Sequence, residues 1–157
     1  MTDLTLIDVT DRDGLVVAPG WLAAAEHLHR DLRPQLGPDY ASAMARVFES
    51  GGRLIVAIRA EMAVGLAVWR LVENTIYGRF LYIDDLVTDS TLRSGGVGQA
   101  LLTRCEALGI EFACRELVLD SGVQRGRTHR FYFREGFVVR AFHFGKSLVV
   151  PPELPAR

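Results

Sequence analysis

Val97, Leu101, Cys105, Leu108 and Phe112 recur at steps of four, four, three and four, which lays them along one face of a helix. The chain before this stretch follows a different pattern. Arg53–Arg59 carries Leu54, Ile55, Val56 and Ile58, Val64–Glu73 returns after a tight turn at 60–63, and Phe80–Thr88 follows a connection at Asn74-Thr75 and Gly78. Loops this short predict an antiparallel meander of three strands. The predicted helix then leads to Glu116–Asp120, a short buried strand. The order strand, helix, strand from Phe80 to Asp120 predicts a right-handed crossover between parallel strands.

Upstream, Leu4–Val9 reads as a first strand, and a helix enters near Pro19 and runs through Trp21–Arg30. Pro34, Gly37 and Pro38 break the chain. Asp39 is placed to cap a second helix that buries Met44, Val47 and Phe48 and ends at Gly51-Gly52. Downstream, Arg127–Glu135 predicts a short helix ended by Gly136. Phe137–Phe144 predicts a strand, and Ser147–Val150 an extension of the sheet. The fold class is therefore α+β: a mixed, mostly antiparallel twisted sheet of about six to seven strands flanked by about four helices.

A length of 157 residues makes one domain over 1–157 the expectation. With 49% hydrophobic and 24% charged residues, the composition is that of a soluble globular protein. A formal net charge of -1 gives no pull toward nucleic acid. No apolar run approaches a membrane span, and Asp3 and Asp8 interrupt any signal-peptide layout, so a cytoplasmic location is expected. Cys105 and Cys114 fall in the predicted helix, about 13 Å apart along its axis, too far for a bridge. They form no ligand spacing either, so no metal is expected.

The segment Arg93-Ser94-Gly95-Gly96-Val97-Gly98-Gln99 sits between a strand and a helix. Glycines there admit a ligand to the backbone, and the first helical turn offers N–H groups and a partial positive charge. A phosphate or diphosphate site has this chemistry; a plain tight reversal would also use the glycines. A Walker A loop is excluded because Gln99, not Lys, follows Gly98. A dinucleotide fingerprint beginning at Gly96 places Leu101 at its third small position and follows a meander, so it fits poorly.

The turn does fit the pattern Arg/Gln-x-x-Gly-x-Gly/Ala, here Arg93 to Gly98, and in this the chain resembles the GCN5-related N-acetyltransferase (GNAT) family. Leu81-Tyr82-Ile83-Asp84-Asp85-Leu86-Val87-Thr88 is similar to that family's central strand. Phe131-Tyr132 followed by Gly136-Phe137 resembles its Phe-Tyr-x-x-x-Gly-Phe signature, and His143–Leu148 resembles a final strand. Two departures stand out: Gly95 occupies a position where the family often has Lys, Arg or His, and Arg125 one where it often has Asn.

The resemblance implies acetyl-CoA as co-substrate, no metal, and a primary amine acceptor on a small molecule or peptide. Nucleic acid and membrane are not implied as partners. Many members form homodimers, and the sequence shows no interface. Carried over by position, Leu86, Val87, Thr88, Arg93, Ser94, Gly95, Gly96, Val97, Gly98, Gln99 and Tyr132 are expected to bind the donor, with the N–H of Val87 polarising the acyl carbonyl. Tyr132 is the expected acid for the CoA thiolate, and Asp84 or Asp85 the expected base or amine site. Adjacent strand residues point to opposite faces, so only one of the two carboxylates serves unless a bulge re-aims them. His129 reads as a helix-surface histidine and Trp21, Trp69 and Tyr82 as core or pocket wall. A non-catalytic acyl-CoA-binding module on the same fold is the alternative.

Overall fold

Leu54, Val56 and Ile58 are buried, and so are Ile55 and Ala57 between them. A strand buried on both faces needs cover on both sides of its sheet. The computed structural model, which describes residues 3–92 and 95–149, provides it. The elements run β1 (Thr5–Asp8), α1 (Pro19–Leu32), α2 (Tyr40–Glu49), β2 (Arg53–Arg59), β3 (Met62–Asn74), β4 (Gly78–Thr88), a 3-10 turn at Ser90–Leu92, α3 (Val97–Glu111), β5 (Glu116–Leu119) and α4 (Gly126–Arg134). The sheet order is β1-β2-β3-β4-β5. The first three pairings are antiparallel and β4–β5 is parallel, bridged by α3 as the strand-helix-strand order requires.

The side chains explain these elements. Pro19 opens α1 with its fixed φ, and the Asp39 carboxylate accepts the Ser42 N–H (3.0 Å) to cap α2. Leu22, Ala25 and Leu28 of α1 and Met44 and Phe48 of α2 join Leu54, Val56, Ile58, Leu66 and Val68 in one buried cluster. At Gly65, β3 runs close against α3. A Cβ there would lie 2.6 Å from Val97 Cγ1, 3.1 Å from the Val87 carbonyl oxygen and 3.2 Å from Leu101 Cδ1. Gly65→Ala is therefore expected to destabilise the protein by about 1–3 kcal/mol through overpacking, read as a lower urea midpoint with unchanged slope.

By packing, the chain divides after Leu119 into two compact units. The second carries α4, whose Tyr132 ring lies 5.4 Å from Phe131 and 5.5 Å from Phe137 between centroids. The Phe137 N–H donates to the Tyr132 carbonyl (2.9 Å) across Gly136, whose φ of +88° suits a helix end.

Two expectations need correction. Residues 137–149 form no strand, so the sheet has five described strands, not six or seven; Val150, the end of the predicted extension, lies outside the described residues. Apolar composition makes a strand only where a neighbouring backbone accepts its hydrogen bonds. Here Phe142 and Phe144 are 78% and 91% exposed. Cys114 is not in the helix of Cys105, because α3 stops at Glu111 and Ala113 turns left-handed (φ 56°). Both thiols are free, and burial pushes that of Cys105 up to about 12. Among the described residues, no helix is long and apolar enough to cross a membrane.

Candidate functional site

Strand β4 is irregular where its two aspartates lie. Val68 pairs with Asp85 but Trp69 pairs with Ile83, so Asp84 is the extra residue of a β-bulge. The bulge changes the simple alternation expected for the pair. Asp84 takes three contacts from the Arg70 guanidinium, at 3.0, 2.8 and 2.6 Å, while Arg70 also reaches the Ser50 carbonyl at the end of α2. Arg33, at the end of α1, donates from Nε to Asp85 Oδ1 (2.6 Å) and from Nη2 to the Asp84 carbonyl (3.2 Å). The two carboxylates thus share one cluster with two arginines.

Asp85 has a further partner, the imidazole of His29 at 2.8 Å from Oδ2. His29 is 2% exposed, and its other ring nitrogen lies 3.0 Å from the Tyr40 hydroxyl. Burial favours the neutral acid at Asp85, but the hydrogen bond and charge of His29 and the charge of Arg33 outweigh it and hold the carboxyl below its ordinary range. Burial, with Glu26 and Asp85 nearby, pushes the Tyr40 phenol up, so it stays a hydroxyl. Asp85 is accordingly a fixed anion joining α1, α2 and β4.

Past the bulge, β4 outruns its parallel neighbour. Only Phe80–Ile83 pair with β5, so residues 84–88 have no strand on that side among the described residues. Leu86, Val87 and Thr88 line this open edge, with Val87 paired in register to Leu66 on the other. The strand delivers the chain to the glycine turn. Gly96 caps α3 with φ 75°, a left-handed conformation that glycine adopts without strain, and no side chain caps the helix. A Cβ at Gly96 would meet nothing within 4 Å among the described residues, so they leave the space over the turn open. Val97 is buried and anchors the first turn, whose N–H groups have no acceptor within the helix. No acidic residue stands in that turn to neutralise its partial positive charge. Arg93 and Ser94 lie outside the described residues. Arg59, from the end of β2, donates from Nη2 to the Gly95 carbonyl (2.9 Å).

In the second unit, Tyr132 is buried and its phenol is pushed up to about 12, by desolvation that Arg125 only partly offsets. His129 lies 2.9 Å from the Gly122 carbonyl through Nε2, a local loop contact. Trp69 is core, its ring 6.0 Å from Phe112, and Trp21 packs on the buried cluster. Among the described residues, no group of three or more His, Cys, Asp or Glu could hold a metal ion. Sequence reasoning missed His29, Arg33, Tyr40, Arg59 and Arg70. Each reaches its partner across 11 to 56 positions of chain, and no local spacing announces such contacts.

Comparison with known proteins bears on the fold and the family. The chain is similar to the uncharacterized N-acetyltransferase YhdJ of Bacillus subtilis (strain 168), 36% identical over 72 residues, 45% of this chain and 51% of the relative. The matched stretch thus spans about half the length of that relative. A transcriptional regulator from Bacillus halodurans C-125 superposes with a TM-score of 0.72 at 24% identity, covering 94% of this chain and 100% of the other. The aminoglycoside N-acetyltransferase AAC(6')-Iy, solved in complex with CoA, superposes with a TM-score of 0.77 at 14% identity, covering 95% and 97%. These likenesses show a shared fold. The model of the acetyltransferase (GNAT) family matches residues 21–137, three quarters of the chain, and this chain belongs to that family.

Proposed function

We propose that the chain is an acetyl-CoA-dependent N-acetyltransferase, acting as one domain, whose acceptor is a primary amine on a small molecule or peptide. The observation that carries this reading is the open edge of β4 running into a glycine-capped helix start. Backbone N–H groups and the helix dipole favour a diphosphate there, and an unpaired strand edge suits an extended pantetheine arm. Leu86, Val87 and Thr88 take the arm, and Arg93, Ser94, Gly95, Gly96, Val97, Gly98 and Gln99 take the diphosphate. The amine attacks the thioester carbon within a ternary complex, the N–H of Val87 polarising the carbonyl oxygen. Tyr132 donates a hydrogen bond to the departing thiolate. The amine must arrive as the free base, and the proton it sheds as the C–N bond forms and the C–S bond breaks passes to solvent or to the departing thiolate, which leaves as the thiol.

Asp84 and Asp85 are the candidates for the amine side. Asp84 is ion-paired to Arg70, and Asp85, held as an anion by His29 and Arg33, suits electrostatic attraction of an ammonium better than removal of its proton. AAC(6')-Iy and the other aminoglycoside acetyltransferases of like fold make a polyamine-like acceptor the first class to screen. The engaged state of both carboxylates also keeps open a second reading, an acyl-CoA-binding module without turnover.

Isothermal titration with acetyl-CoA, and with NAD as control, tests the site. Saturable binding of acetyl-CoA is expected, weakened by at least about tenfold in Gly96→Glu, whose carboxylate would enter the diphosphate space. Binding of NAD alone, or of neither, rules the acyltransferase reading out. Binding without release of CoA thiol across an amine library would favour the non-catalytic module.

A further inference from the structure

The turn lacks the basic side chain that resembling sequences often carry at the position of Gly95, and the structure shows what stands there instead. A Cβ built on Gly95 would lie 2.8 Å from Arg59 Nη1 and 3.7 Å from its Cζ. The Arg59 guanidinium therefore occupies the space a Gly95 side chain would enter. It is fixed by one bond, from Nη2 to the Gly95 carbonyl, and makes no ion pair among the described residues. Its Nε is buried without a hydrogen-bond partner, which leaves a charged group under-satisfied.

The electrostatics are unfavourable in the free protein. A cation is stabilised at a helix C-terminus and opposed at an N-terminus. Here a guanidinium stands beside the N-terminal turn of α3, where no acidic side chain compensates it. Two positive features side by side are accommodated when an anion binds between them.

We propose that Arg59 is a ligand-binding residue that supplies, from β2, the cation missing from the turn at Gly95, and that it recognises the diphosphate of the acyl-CoA donor. The assignment rests on the acetyl-CoA reading above and extends it to a residue outside the turn motif. Glycine at 95 and arginine at 59 form one unit: the first makes room for the second.

The experiment compares three ligands by isothermal titration: acetyl-CoA, its 3′-dephospho form, and S-acetylpantetheine, which lacks the diphosphate. Arg59→Gln is expected to weaken both diphosphate ligands by about tenfold or more and to leave S-acetylpantetheine unchanged. Gly95→Ala, which displaces the guanidinium without removing it, is expected to act in the same direction. Arg59→Gln/Gly95→Arg returns the charge to the turn without the Arg59–Gly95 bond, and is expected to recover most of the loss. That recovery separates a direct charge contact from mere bracing of the turn. The assignment is overturned if Arg59→Gln and Gly95→Ala, both folded by circular dichroism, bind acetyl-CoA as the unaltered protein does. It is overturned equally if the loss is the same for all three ligands, if it vanishes with the 3′-phosphate, or if the double variant recovers nothing. Failure of the unaltered protein to bind acetyl-CoA removes the donor reading itself, and Arg59 with it; the variant outcomes remove Arg59 alone.

Discussion

Tyr132→Phe is expected to lower kcat for acetyl transfer by about 10²–10⁴-fold and to leave the KM for acetyl-CoA nearly unchanged. The substitution is clean because the ring is already held on both sides by Phe131 and Phe137, and phenylalanine keeps those contacts. Only the hydroxyl is lost, so the unfolding midpoint should stay close to that of the unaltered protein. The same burial that fixes the ring pushes its phenol to about 12. A donor with that pKa holds its proton throughout the neutral range, while a thiol leaving group ordinarily ionises near 8.5. In the proposed mechanism, Tyr132 would assist by hydrogen bonding to sulfur as negative charge develops, without passing its proton on early. The pH dependence of kcat carries the signature: no alkaline loss attributable to Tyr132 below about pH 11, since the group would still be protonated there. Full activity in Tyr132→Phe would refute the assignment. Equal losses in kcat and in stability would mark the tyrosine as a packing residue.

Asp85→Ala is expected to cost about 3 kcal/mol of folding stability at pH 7, the lower end for breaking a buried pair, because Arg33 is 42% exposed and can be partly rehydrated. The cost arises from the partner left behind. His29 is buried and would be left with one ring nitrogen unsatisfied. The pH dependence follows from the direction of the Asp85 shift. Its carboxyl is held below the ordinary value in the folded state, so the unfolded chain binds the proton more readily. Its contribution is complete above the unfolded pKa, near 3.9, and is lost as pH falls through the folded value. Urea unfolding of the unaltered protein and of Asp85→Asn at pH 7 and at pH 3 should therefore show a difference that shrinks on acidification. A difference under about 1 kcal/mol at pH 7, or one that grows toward acid, would contradict the buried-anion reading. Activity of the same variants separates the anchor from the amine site: an anchor alone changes stability, whereas an amine site also raises the acceptor KM.

Both variants probe what could be read from the chain alone to different degrees. Tyr132 is legible because a short sequence signature, Phe131-Tyr132 with Gly136-Phe137, lies on a single helix and its end. The glycine turn is legible for the same reason: φ 75° at Gly96 and an uncapped first helical turn are local consequences of local residues. The role of Asp85 is not local. The pair Asp84-Asp85 marks an anomaly in an apolar strand, but the sequence cannot say that a bulge falls on Asp84, nor that α1 sends His29 and Arg33 to meet Asp85 from more than 50 positions away.

What the sequence by itself determined is everything set by periodicity and short-range sterics: the two N-terminal helices, the meander, the crossover helix α3, and the glycine turn that ends the meander. These follow from interactions within a few residues, which repeat wherever the pattern repeats. Only the tertiary structure decided which charges meet. It placed Arg70 on Asp84, His29 and Arg33 on Asp85, and Arg59 under Gly95. It also left residues 137–149 without the strand their composition suggests. The reason is common to all of these: a hydrogen bond or an ion pair needs a partner at about 3 Å, and chain folding, not sequence spacing, brings that partner.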